Sequence, residues 1–254
     1  VIAAQLLEDG VIVDLTISPI ALGLDYEFTA QNVTDNTVNK NKMPLTVKLF
    51  SLLNDFFEDF EAFDATNWTF VDSNRWNIEH ESIDNKALFL NRSDYDSPGG
   101  YMLGEIAMIK SEKFIAQDFS LSCSIKSTED LLANEHADYS IVYNYQDAQN
   151  YDYIQFHTYD IALCCVANGE RYRLEKVITT VDFESFQKID MNLAGDQLSV
   201  YINNSLINTF TVTVSDPGQI GFGAYNDAAL FDNINLEGNL KSDTTPPAAP
   251  GGFR

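Results

Sequence analysis

The residue types with chemical reach gather in one stretch, positions 138–160, which reads DYSIVYNYQDAQNYDYIQFHTYD. Asn144 sits in its first half, and Tyr153, Gln155 and His157 occupy alternate positions in its second. Planar amides, an imidazole and an aromatic ring on neighbouring strands suit one task. They can hydrogen-bond paired hydroxyls while a ring face covers C–H groups, as a sugar requires. Arg171 and Arg173, two apart on the next hairpin, add charged donors to the same surface. The competing view takes all six as ordinary polar residues of a solvated sheet face, and for His157 alone that view carries more weight.

Something must hold these side chains in register. Residues 140–145 and 151–159 alternate apolar and polar types around a polar turn, 146–150, the pattern of a half-buried antiparallel hairpin. Strict alternation puts Ile141, Tyr143 and Tyr145 on one face, and Ser140, Val142 and Asn144 on the other. Further short strands are predicted from residue 76 to 236, with turn chemistry at Asn168-Gly169, Gly195-Asp196, Asn203-Asn204 and Pro217-Gly218. More than ten such strands predict an all-β fold, a two-sheet antiparallel sandwich. Residues 53–63, LNDFFEDFEAF, read either as an amphipathic helix or as a strand start. Residues 128–134 offer at most a helical turn.

Composition narrows the partners. In 254 residues, 38 acidic against 15 basic side chains give a net charge of −23, which repels phosphate backbones and heavily sulfated polymers. Nucleic acid is therefore not an expected partner. No apolar run approaches the length of a membrane span, and no signal peptide is visible after Val1, which reads as a trimmed start. Three cysteines make no disulfide framework: Cys123 reads as a buried thiol, and neighbours Cys164 and Cys165 should point to opposite faces.

The run from 139 to 236 resembles concanavalin A-like lectin/glucanase domains of the laminin G-like, carbohydrate-binding type. The matching pieces are IVYNYQD with NY, the hairpin VANG, LSVYIN, GQIGFGAY and FDNI, opened by FEDFE at 57–61. The flanks show two further likenesses. DYEFTAQNVTDNTVNKNKMP resembles the closing strands of bacterial immunoglobulin-like spacers, and DTTPPAAP resembles the lead-in to a fibronectin type III module. The organisation expected is a partial spacer over 1–50, a jelly-roll sandwich over 53–238, and a stiff Pro-rich linker over 239–254.

That resemblance implies a secreted or cell-surface bacterial protein with covalently linked neighbouring domains. Retaining glycanases of the fold carry Glu-x-Asp-x-x-Glu on one strand; no such triplet occurs, and Glu58-Asp59-Phe60-Glu61 has the wrong spacing. Gln155-Phe156-His157 is similar to the Gln-x-His strand of alginate lyases, but their Arg-x-Glu-x-Arg and Tyr-Phe-Lys-x-Gly strands are missing. The resemblance also implies a structural calcium ion held by Glu58 or Asp59 with Asp232 and backbone carbonyls. The expectation is a non-catalytic module that binds polysaccharide through Asn144, Tyr153, Gln155, His157, Arg171 and Arg173. Arg75-Trp76, Tyr95, Tyr101 and Tyr225 would rim the site. A lyase or hydrolase with an atypical site, or an adhesive spacer, are the alternatives.

Overall fold

The structure, a computed structural model, describes residues 3–6, 13–16, 25–30, 46–51, 54–83, 85–91, 102–110, 116–213 and 218–240. The chain divides into two units, Val1–Leu53 and Asn54–Arg254. The first holds two antiparallel pairs: β1 (Ala3–Leu6) with β2 (Val13–Thr16), and β3 (Asp25–Ala30) with β4 (Thr46–Ser51). The Glu8-Asp9-Gly10 turn, the Asn-rich part of the spacer-like motif and the Pro-rich tail lie outside the described residues.

The second unit opens with β5 (Asn54–Glu58), β6 (Trp68–Phe70), β7 (Trp76–Ser82), β8 (Asn85–Leu90) and β9 (Glu105–Ile109). The long β10 (Ala116–Ser127) comes next, then β11 (Asp138–Asp147), β12 (Asn150–His157), β13 (Asp160–Ala167) and β14 (Glu170–Ile178). The remainder are β15 (Gln187–Ala194), β16 (Gln197–Ile202), β17 (Ser205–Thr211), β18 (Gln219–Ala224) and β19 (Ala229–Leu240). One sheet runs β17-β16-β15-β10-β19-β8-β7 with β5 also on β19; the other runs β14-β13-β12-β11-β18-β9-β6. This is the two-sheet jelly-roll sandwich the strand pattern predicts. Residues 54–58 settle as strand: Phe56 points inward and Phe57 outward, a period of two.

Alternate residues of both sheets build one core. Leu121, Ile125, Ile189, Val200 and Phe231 face Ile141, Ile154, Phe156, Leu163 and Phe222 across it. Trp76, expected at the rim, belongs to this core: its ring lies 5.9 Å from those of Phe70 and Phe231. Cys123 is buried among these residues, where desolvation pushes its thiol well above the usual range.

Two departures from alternation matter. In β11 the ladder runs to Tyr143↔Asp152 and resumes only at Asp147↔Asn150, with Asn144 in the left-handed region at φ 57°. Against β18 the pairing passes from Val142↔Gly221 to Tyr145↔Gln219, three residues against two, and that one extra residue moves Tyr145 to the opposite face. Tyr145 therefore joins Val142 instead of Tyr143, and its ring sits 5.7 Å from that of Tyr151. The second bulge is at Asp232-Asn233, where Asn233 has φ 50° and β19 exchanges β8 for β5 as its partner.

The outer face of the seven-stranded sheet is not the solvated polar surface expected. Most of it is a second apolar cluster, including Ile106, Met108, Val142, Tyr151, Tyr153 and Cys164, with Met102 and Leu103 packed on it. The Leu103 N–H donates to Tyr151 Oη at 3.2 Å. On β18, Gly221 and Gly223 let β9 approach: a Cβ on Gly223 would lie 2.2 Å from the Glu105 carbonyl oxygen. Gly223→Ala is expected to cost about 1–3 kcal/mol, since backbone and not a flexible side chain is in the way. Chemical denaturation measures it, and an unchanged midpoint would contradict the close packing of β9 on β18.

Candidate functional site

The apolar cluster stops where β11, β12 and β18 reach one end of the sheet. Strand register sets the neighbours at that end: Ser140 lies opposite Gln155 and Gly223, and Asp138 opposite His157. Gln155, His157, Arg171 and Arg173, four of the six residues singled out in the sequence, line a common pocket of about 490 Å³. Asn134, His136, Asp138 and Tyr159 complete it with Tyr225, Asn226 and Asp227 from the connection between β18 and β19.

Its floor is a chain of hydrogen bonds. Arg171 donates from Nε to Tyr153 Oη and from Nη2 to Gln155 Oε1, both at 2.6 Å, and from Nη2 to Cys164 Sγ at 3.4 Å. Gln155 Nε2 donates to Asp138 Oδ2 at 2.9 Å. The Asp138 carboxyl also takes the Tyr225 N–H at 3.3 Å. Asp227 accepts from the Asp138 N–H at 2.8 Å and from Asn134 Nδ2 at 2.7 Å. Burial raises the Asp138 pKa well above the carboxylate range, and the Asp227 carboxyl in hydrogen-bonding contact raises it further. Both effects favour the neutral form of the Asp138 carboxyl.

The second arginine is differently placed. Arg173 Nη2 meets Asp160 Oδ1 at 2.7 Å, and Lys176 stands 3.9 Å from the other oxygen of that fully buried carboxylate. Burial lowers the His157 pKa and nearby Arg173 lowers it again, against the opposing pull of Asp160. The net lowering favours the neutral imidazole. Its ring stacks on Tyr159 at 5.8 Å and 16°, and His136 meets the same tyrosine edge-on at 5.8 Å. His157 Nδ1 is buried and has no hydrogen-bond partner among the described residues.

Two of the six candidates stand apart. Tyr153 is fully buried and touches the site only through Arg171, as support and not as a platform. Asn144 does not line the pocket: the bulge turns it away, and its side chain donates to Asp152 Oδ2 at 2.9 Å and accepts from Gln146. Of the expected rim, Tyr225 is present, Arg75 pairs with Glu105 at 3.4 Å, and Tyr95 and Tyr101 lie outside the described residues. Sequence pattern does not single out Asp138, Asp227, Asn134 or Tyr159. Asp138 reads as part of a loop, and only the turn-rich spelling Tyr225-Asn226-Asp227 hints at a functional connection.

At the expected calcium residues, Glu58 is buried and accepts the Phe60 N–H at 2.9 Å. Asp232 accepts from Asn85 at 3.2 Å and from the Asn233 N–H at 2.7 Å. Among the described residues, no three acidic, histidine or cysteine side chains converge as metal ligands.

The raised Asp138 pKa fixes a sign. An acid protonated in the fold and ionised when unfolded stabilises most below the ordinary carboxylate pKa, and that stability is lost as pH rises through the raised value. Asp138→Asn keeps the shape, can still donate to Asp227 and cannot ionise. Its stability relative to wild type is expected to rise with pH, by about 1.4 kcal/mol for each unit of raised pKa passed. Asp138→Ala should lose about 1–3 kcal/mol at every pH by orphaning Gln155 and Asp227. Thermal melts from pH 4 to pH 9 check both, and an Asn variant whose stability relative to wild type does not rise with pH contradicts the raised Asp138 pKa.

No protein-family profile matches the chain, and no curated protein matches it by sequence. Solved structures do match in fold. A carbohydrate binding module from Bacillus subtilis is 17% identical, with a TM-score of 0.52, over 67% of this chain and 95% of that one. A transglycosylase in its apo form is 11% identical, with a TM-score of 0.50, over 74% of this chain and 85% of that one. At such identities the likeness is one of fold: the second unit is a concanavalin A-like β-sandwich.

Proposed function

We propose that the second unit is a non-catalytic carbohydrate-binding domain of a secreted, multidomain protein. The observation that carries this is the pocket itself. Planar donors and acceptors fixed by a buried network stand beside the ring array of His136, Tyr159 and His157. Hydroxyl pairs and sugar C–H faces call for that combination. The fold likeness to a carbohydrate binding module supports the reading by analogy. At about 490 Å³ the pocket suits roughly one or two sugar rings, so a chain end or short oligosaccharide is its ligand, not a polymer laid along an open face.

An enzyme-class reading, a lyase or hydrolase with an atypical site, draws on one feature, a buried carboxyl with a raised pKa, Asp138, at the pocket wall. Release of reducing ends or of unsaturated sugars from a polysaccharide panel would favour it over binding.

A calcium ion belongs to the proposal too, at the seam of β5 and β19. Burial raises the pKa of both Glu58 and Asp232, and charges on Asp59, Asp64 and Glu61 raise them further, an imbalance that a divalent cation would reverse. Glu58 or Asp59 and Asp232 would hold it, with backbone carbonyls and water in the rest of the shell.

On a glycan array, binding is expected to fall at least tenfold for His157→Ala and for Gln155→Ala, the melting temperature of each variant being measured alongside. Binding unchanged in both removes the site assignment. Chelation with EGTA is expected to lower the melting temperature by several degrees, and calcium to restore it. Identical melts with and without calcium would remove the ion.

A further inference from the structure

We propose that the saccharide bound in this pocket carries a carboxylate and that Arg171 is the residue that binds it. This rests on the carbohydrate reading above and goes one step further, to the chemical class of the sugar.

The arginines differ in their charge partners. Arg173 and Arg75 each have a carboxylate at hand, Asp160 at 2.7 Å and Glu105 at 3.4 Å. Arg171 has none among the described residues: its acceptors are a phenol, an amide and a thiol, all neutral. In a chain with 38 acidic side chains against 15 basic ones, a half-buried guanidinium without a counter-ion is conspicuous. Guanidinium stays ionised at any working pH, so its charge is unbalanced until an anion arrives.

Donor geometry agrees. A guanidinium has five N–H groups in one plane, each a charge-assisted donor to a carboxylate oxygen. The contacts to Tyr153, Gln155 and Cys164 engage Nε and Nη2, and Nη1 has no partner among the described residues. The floor network thus fixes the guanidinium plane of a residue that lines the pocket and leaves the two N–H groups of Nη1 for an incoming carboxylate oxygen. His157 Nδ1, buried and without a partner among the described residues, supplies a further polar contact on the same wall.

The strongly negative chain does not defeat this. Charges farther away than about 8 Å are largely screened at physiological salt. A single carboxylate touching Arg171 gains contact attraction that distant acids do not cancel. A polyanion would keep its other charges outside the pocket, against the acidic surface, and would be repelled there. The ligand this selects is one acidic sugar at a chain end, not a polyuronate.

Three matched pairs test it with the full chain: the methyl glycosides of glucuronate, galacturonate and mannuronate, each against its neutral hexoside. Saturation-transfer NMR detects binding and calorimetry ranks it. At least one uronate is expected to bind tenfold or more tighter than its hexoside. Arg171→Gln should bring the two level, and Arg171→Lys should keep part of the preference. A hexoside that binds as tightly as its uronate, with both substitutions affecting the pair equally, overturns the carboxylate assignment and leaves the carbohydrate site standing. Failure of all six glycosides to bind removes both.

Discussion

The direction of one hydrogen-bond chain decides the chemistry of the pocket. Arg171 can only donate, so the oxygen of Gln155 must face it and the amide nitrogen must face the other way. Asp138 has to accept from that nitrogen, which it does at 2.9 Å. Its neighbour Asp227 accepts from an amide and a backbone N–H, and the nearness of that second carboxyl, with burial, favours the neutral form of Asp138. Polarity thus runs one way, from guanidinium to carboxylate, across β14, β12, β11 and the β18–β19 connection. A network of this kind is worth having only when complete, because each buried member left without a partner costs more than a formed bond returns.

Much of this architecture was legible in the chain, and the failures have identifiable causes. Alternation located the strands of the second unit and placed Gln155, His157, Arg171 and Arg173 on one face, because period two is a direct consequence of the pleat. It could not foresee Asn144 at φ 57°, since the left-handed conformation leaves no mark on hydrophobic pattern beyond a residue type that tolerates it. The slip misassigned both Asn144 and Tyr145. Asp227 bonds to the backbone of a residue 89 positions earlier, a meeting made by sheet pairing and invisible to any local window.

Polarity read from composition also misjudged the sheet's outer face. Tyr151 and Tyr153 share the face read as polar, yet with Tyr145 their rings succeed one another at 5.7 Å and join a buried cluster with Met102 and Leu103. A tyrosine has an apolar body and a polar tip, and only the tip must find a partner. Here the tip of Tyr151 accepts from Leu103 and that of Tyr153 from Arg171. Covering most of the face in this way confines the accessible polar groups to one end, which is why the site is a pocket and not a long cleft.

Such confinement bears on catalysis. Retaining hydrolysis needs an acid and a nucleophile about 5–5.5 Å apart with the scissile bond between them, and inversion needs more room still. The Asp227 carboxyl accepts the Asp138 N–H at 2.8 Å and lies near enough to raise the Asp138 pKa, closer than a flanking acid and nucleophile would stand. Delivering the Asp138 proton to a leaving group would leave two adjoining carboxylates charged in a buried corner, with Asn134, Gln155 and the Tyr225 N–H as neutral donors. The same low dielectric that holds the proton on Asp138 penalises its departure. Neutral or ionised, Asp138 accepts from Gln155 Nε2 at 2.9 Å, so the order of the floor comes from the donor-only guanidinium of Arg171 at the chain's other end.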